Sequence, residues 1–219
     1  NFENIYGTSA TETIKGDANN NTLKGGQGGN DILYGYEGND NLYGHGIDDD
    51  DPNDSDYSDA KTLYGGAGND NLYGGYGDDT LDGGTGTDTL TGGNGIDTFV
   101  IRAGDGSSLI EGANIITDFS DGTDLIGLDN DLAFNELTIE QGAGNYINHT
   151  LVRITETGEY LLILQNTTAI DITELDFTDV DISESSRDAA SRGDSEDNTS
   201  IDPTTPSDDN DTPVTPTND

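Results

Sequence analysis

The chain is 219 residues long, with 45 acidic residues against 7 basic ones and a formal net charge of -38. Charge of that sign and size repels nucleic acid and anionic membrane surfaces, which excludes both as direct partners. Cysteine and methionine are absent, so disulfides and thiolate zinc sites are excluded, and the missing initiator reads as a mature chain or an excised piece of a larger protein. No apolar run approaches the roughly 20 residues of a spanning helix and no signal peptide is recognisable, so direct membrane insertion is not expected.

Residues 1–6 read as a lead-in strand. A nine-residue period then begins at Gly7. Block 7–15 puts Glu12 in sixth place and Ile14 in eighth, and block 16–24 puts Asn21 and Leu23 there. Block 25–34 is one residue long, with Gly29 or Asn30 as the extra, and delivers Asp31 and Leu33; block 35–43 delivers Asp40 and Leu42. The first two blocks keep the apolar residue but degrade the acid, so they are expected to be capping turns with weak or absent ion sites.

The block opening at Gly44 is broken by the insertion 48–60, rich in aspartate and holding Pro52. Like charges and proline cannot pack, so this stretch reads as a surface loop. The period resumes with Lys61 in sixth place, where the usual ion site should be lacking; the alternative is that the loop's own carboxylates substitute. Residues 65–100 then repeat cleanly. Blocks opening at Gly65, Gly74, Gly83 and Gly92 each carry a glycine pair and a fourth-place glycine. Their sixth places hold Asp70, Asp79, Asp88 and Asp97, and their eighth places Leu72, Leu81, Leu90 and Phe99. A short fixed period of this kind predicts a stacked, quasi-one-dimensional architecture.

After Val100 the period is lost. Strands are predicted near 114–119, 124–128, 136–140, 149–155, 159–165 and 170–177. Residues 151–154 and 160–164, joined by a stretch containing Gly158, form a hairpin signal. The region reads as a β cap over the apolar end of the stack. From residue 181 the chain is Ser, Asp, Thr and Pro and reads as a disordered linker or tail. The expected fold is therefore all-β: a parallel β-roll over 1–100, a β-rich cap over 101–180 and an acidic tail over 181–219.

Regularly spaced aspartates with few basic partners call for a cation. Calcium takes six to eight oxygen ligands at about 2.3–2.6 Å and tolerates irregular geometry. A glycine-rich six-residue turn can reverse sharply and aim carbonyls inward. Places seven to nine form a short strand with its middle residue inward. Successive turns then fall on alternate sides, and each stacks on the turn two blocks away. That geometry predicts the couples Asp40 with Asp70, Asp70 with Asp88, and Asp79 with Asp97. Such pairs repel by about 4 kcal/mol at 4 Å and an effective dielectric of 20, so folding should depend on the ion.

Other chemistry is weak. His45 and His149 are the only histidines and read as exposed. No nucleophile elbow, zincin motif or phosphate loop occurs, so the chain is not expected to be an enzyme. Tyr34, Tyr43, Tyr64 and Tyr73 in ninth place read as outward rows. Thr13, Thr62, Thr80 and Thr98 in seventh place form a ladder broken by Ile32, strand-favouring rather than ligand-binding.

The blocks of 35–43 and 65–100 resemble the RTX (hemolysin-type) calcium-binding repeat, and residues 7–100 are covered by the resemblance. It implies a parallel β-roll holding several calcium ions, and a bacterial protein exported unfolded, often by type I secretion, that folds outside the cell. Residue by residue it implies metal ligation by Asp40, Asp70, Asp79, Asp88 and Asp97, with Asp31 in the longer turn. The turn carbonyls it implies are those of Gly65, Ala67, Gly68, Gly74, Tyr76, Gly77, Gly83, Thr85, Gly86, Gly92, Asn94 and Gly95. Residues 115–128 are similar to the segment that closes β-rolls in secreted proteases and lipases. Three roles stay open at this point: a folding and export module of an exoprotein, an adhesive or S-layer-type module with a cell-surface or polysaccharide partner, and the carboxyl-terminal part of a secreted hydrolase.

Overall fold

A computed structural model describes residues 4–45 and 59–182. The predicted acidic loop, Asp59 and Ala60 excepted, and the predicted tail beyond Ile182 lie outside the described residues. The repeats give strands β1 (Asn4–Tyr6), β2 (Thr13–Lys15), β3 (Thr22–Lys24), β4 (Ile32–Glu37), β5 (Asn41–Tyr43), β6 (Thr62–Ala67), β7 (Asn71–Tyr76), β8 (Thr80–Thr85), β9 (Thr89–Asn94) and β10 (Thr98–Ile101). The chain reverses between consecutive strands, so odd and even strands fall into two parallel sheets, β1-β3-β5-β7-β9 and β10-β8-β6-β4-β2. Register follows the period: Leu63 lies beside Leu81 and Leu33, and Leu72 beside Leu42 and Leu90.

A three-residue strand can bury one side chain, and only stacking makes that a core. Leu23, Leu42, Leu72 and Leu90 form one inner column and Leu33, Leu63, Leu81 and Phe99 the other, all fully buried. Each contributes about 1.5–3 kcal/mol of apolar transfer. The turns require left-handed backbone at the fourth place, where Gly68, Gly86 and Gly95 sit at φ 138°. Tyr36 holds a comparable conformation (φ 82°) at a second place that is glycine in the later blocks, buried and stacked on Tyr34.

Parallel stacking does not stop at Val100. The strands β11 (Asn114–Ile116) and β12 (Leu125–Leu128) continue the two sheets on β9 and β10, placing Ile116 beside Leu90 and Ile126 beside Phe99. The sheets then close differently. On one side β15 (Tyr160–Leu164) adds parallel to β11, and β14 (Thr150–Ile154) and β13 (Leu137–Gln141) follow antiparallel. The β14–β15 pair is the hairpin predicted from sequence, with an irregularity at Val152/Arg153. On the other side the short β16 (Phe177–Asp179) covers β12.

The tyrosine rows are less open than their sequence places suggest. Tyr34 and Tyr64 stack at 4.9 Å and are buried, with Ile182 packed against them. Tyr43 and Tyr73 stack at 5.0 Å and stay partly exposed. Each parallel ring pair is a by-product of register, because ninth-place residues of alternate blocks must lie side by side. Thr62, Thr80 and Thr98 align in the same way, with Ile32 interrupting before Thr13.

Candidate metal centre

The sixth-place residues form two ladders, one along each edge of the roll where the turns lie. On one edge stand Asn21, Asp40, Asp70, Asp88 and then Asn114; on the other, Glu12, Asp31, Lys61, Asp79, Asp97 and then Asp124. The couples predicted from sequence are brought together through the backbone. Asp70 Oδ1 accepts from the Asp40 N–H at 2.7 Å, Asp88 Oδ1 from Asp70 at 2.9 Å, and Asp97 Oδ1 from Asp79 at 3.0 Å. Asp40 and Asp79 do the same for the Asn21 and Lys61 amides, both at 2.7 Å. One carboxylate oxygen of each rung thus fixes the preceding rung.

The other oxygen has no such use. Oδ2 of Asp31, Asp40, Asp70, Asp79, Asp88 and Asp97 is buried and accepts no hydrogen bond. Each lies over the first glycine of its own turn. A Cβ built on Gly65 would stand 2.5 Å from Asp70 Oδ2 and 2.6 Å from the Gly83 carbonyl oxygen, and one on Gly74 would lie 2.7 Å from the Gly92 carbonyl oxygen. Glycine is required there because carboxylate and carbonyl oxygens converge on the place a side chain would take. Hard oxygen donors gathered in a buried cradle, with negative charge and no proton donor, fit a calcium-type cation. Burial pushes these carboxyls up in the absence of a cation: Asp31 and Asp97 to about 6, Asp40, Asp70 and Asp88 to about 7, and Asp79 to about 8.

The end turns differ. Glu12 Oε2 accepts from the Thr8 N–H at 2.7 Å, and its other oxygen meets the Thr8 hydroxyl. Asn21 Oδ1 accepts from the Asp17 N–H at 2.7 Å. At the cap end, Asp124 Oδ1 accepts from the Asp97 N–H and Oδ2 from the Ser120 N–H at 2.8 Å, while the neutral Asn114 takes the Asp88 N–H. The chain itself therefore satisfies these side chains. Asn114 and Asp124 are ladder members that the nine-residue count misses; the signal for both is a polar residue directly before an apolar strand, Asn114-Ile115-Ile116 and Asp124-Leu125-Ile126.

The backbone carbonyls divide. Those of the first-place glycines Gly65, Gly83 and Gly92 flank the cradles. Those of Ala67, Thr85 and Asn94 accept from the Gly38, Gly68 and Gly77 amides at 2.9 Å, which leaves each one lone pair. Gly68, Gly77, Gly86 and Gly95 stack so closely that a side chain on Gly68, Gly86 or Gly95 would overlap the carbonyl of Gly38, Gly68 or Gly77. Gly74 contributes its cradle beside Asp79, and Tyr76 packs edge-on to His45. A second ladder was not foreseen: fifth-place side chains Asn20, Asn39 and Asn69 accept from the Asn39, Asn69 and Thr87 amides, all at 2.9 Å.

The description "RTX calcium-binding nonapeptide repeat (4 copies)" matches residues 6–28, 26–49 and 64–99. No curated protein sequence matches the chain. Among solved structures, the chain is similar to the AlgE6R2 subunit of the Azotobacter vinelandii mannuronan C5-epimerase, at 22% identity over 79% of this chain and 90% of that one (TM-score 0.41). It is also similar to the extracellular lipase LipA of Serratia marcescens, at 17% identity over 80% of this chain and 40% of that one (TM-score 0.39). The part of the chain that matches the RTX calcium-binding nonapeptide repeat is thus residues 6–49 and 64–99.

Proposed function

We propose that the chain is a non-catalytic calcium-binding module of a secreted or cell-surface bacterial protein, and that its roll folds when calcium binds. The ligands are Asp40, Asp70, Asp79, Asp88 and Asp97, with turn carbonyls completing each site; Asp31 is set apart, because the Lys61 ammonium lies 4.0 Å from its Oδ2. The observation that carries this reading is the row of buried, unpartnered Oδ2 atoms over first-place glycines. Each aspartate does two jobs: Oδ1 holds the neighbouring turn in register, and Oδ2 offers charge to the ion.

Why the ion should control folding follows from the titration. Burial raises these carboxyls above their ordinary value of 3.8, so the metal-free folded state binds protons more tightly than the unfolded chain. That proton-linked stability is complete below about pH 4 and is lost as pH rises through about 6 to 8. At neutral pH a cation must replace the protons. With about 1 mM free calcium and sites of about 0.1 mM, each ion adds about 1.4 kcal/mol. Four or five sites give about 6–7 kcal/mol, comparable with the stability of a whole domain. Cytosolic calcium is far too low for this, so the chain would stay unfolded inside the cell and fold outside.

The test is a calcium titration followed by far-ultraviolet circular dichroism at neutral pH. A largely coil-like spectrum in chelator, with β signal left only from the cap, and a cooperative gain of β structure near millimolar calcium are expected. A chain fully folded in chelator would sink the reading.

A further inference from the structure

Two irregularities of the repeat, far apart in sequence, meet at one point. Block 25–34 is a residue too long, and the rung that stacks on it carries Lys61 where an acid belongs. The Lys61 side chain is wholly covered. Its stem crosses the first-place glycine of its own turn: a Cβ on Gly44 would stand 2.9 Å from Lys61 Cγ, where other turns present a carboxylate oxygen. Its ammonium donates to the carbonyl oxygen of Gly29, a residue of the lengthened turn, and to the Asp59 carbonyl oxygen at 3.2 Å. It lies 4.0 Å from Asp31 Oδ2. Asp59 Oδ2 accepts from the Gly29 N–H at 2.8 Å, which ties the last residues of the insertion to the same turn.

We propose that Lys61 is a built-in replacement for one calcium ion. The ammonium takes two backbone carbonyl oxygens and stands beside a buried carboxylate, the donor types that the other rungs assemble for the metal. Burying an ammonium is costly unless its hydrogen bonds and its charge are met, and here Gly29, Asp59 and Asp31 meet them. The extra residue of block 25–34 brings a carbonyl to where the lysine reaches. The insertion leaves its edge of the roll without a sixth-place acid, and Lys61 closes that rung without metal. Its own N–H still donates to Asp79 Oδ1 at 2.7 Å, so the ladder above is undisturbed. The ladder of that edge is thus split into a lysine-closed rung at Asp31 and metal-closed rungs from Asp79 onward.

This inference rests on the calcium reading, and the test separates the two. Native mass spectrometry counts calcium ions on the wild-type chain, Lys61→Asp and Lys61→Met, and thermal melts in saturating calcium follow each. Lys61→Asp is expected to bind at least one ion more than wild type. Lys61→Met, which keeps the stem and removes the charge, is expected to bind the wild-type number and to melt about 5–10 °C lower, because Asp31 loses its cation. An unchanged count in Lys61→Asp, or an unchanged melt in Lys61→Met, overturns the proposal while the calcium reading stands. A wild-type chain that binds no calcium overturns both.

Discussion

The roll and its cap bury side chains equally well but treat buried charge in opposite ways. Where the cap joins the roll, Arg102 is held by three carboxylates: Asp82 of β8, Asp105 at 2.8 Å and Asp129 at 3.0 Å. Burial opposes the arginine's charge, yet Asp82 and Asp105 carry its pKa above the ordinary value. Asp176 is likewise satisfied, by the Thr173 amide at 2.7 Å and the Thr173 hydroxyl. In the roll, the sixth-place aspartates keep one oxygen each without a donor. A region that supplies its own counter-charges is complete as a polypeptide. On the calcium reading proposed above, a region that withholds them is completed by a cation, which makes that part of the scaffold conditional.

The largest expected effect exposes this contrast directly. On chelation, hydrogen exchange should strip protection from β7–β10 at chelator levels that leave the β14–β15 hairpin protected. Simultaneous loss in both regions would show that the cap has no stability of its own and would erase the comparison. The next effect attacks the cap. Arg102→Ala removes the cation shared by three buried carboxylates and should cost about 3–5 kcal/mol in urea unfolding at saturating calcium, with calcium affinity unchanged. A drop in affinity would show that the Arg102 cluster and the ladder are coupled. Within the roll, Asp88→Ala removes a buried Oδ2 and a register bond, whereas Asn21→Ala alters a turn whose side chain the protein already satisfies. Asp88→Ala should weaken calcium binding by about tenfold, or ~1.4 kcal/mol, and Asn21→Ala much less. Equal effects in calorimetry would remove the distinction between interior and end turns.

The parts legible from sequence are those set by period. Nine residues with one inward apolar place dictate alternating sheets, and the stacking of Asp70 on Asp88 and of Asp79 on Asp97, each pair 18 residues apart, follows from counting alone. What the period could not reveal is where it is broken but obeyed in space. Asn114 and Asp124 join the ladders from turns of different length, because a parallel strand needs only register with its neighbour, not a fixed spacing from it. Tyr34 and Tyr64 face outward by place yet are covered, since flat rings in adjacent strands bury one another. Lys61 looks like a defect on the line of the chain. Only in three dimensions do its ammonium and the extra residue of block 25–34 come together.

The smallest expected effect concerns the ladder that needs no ion. Asn20 Oδ1 accepts from the Asn39 N–H at 2.9 Å, in a turn whose sixth-place side chain is already satisfied. This ladder also runs the other way: fifth-place side chains brace the following rung, sixth-place carboxylates the preceding one. On this edge the first runs through the neutral amides of Asn20, Asn39 and Asn69 and the second through charge, so they should separate by experiment. Asn20→Ala leaves one backbone amide to solvent at the amino-terminal end of the roll and should cost about 0.5–1.5 kcal/mol. The number of ions and their affinity should not change. If Asn20→Ala instead lowers calcium affinity as Asp88→Ala does, the two ladders are a single cooperative unit, and the metal-bearing region extends to the turns assigned here to the protein alone.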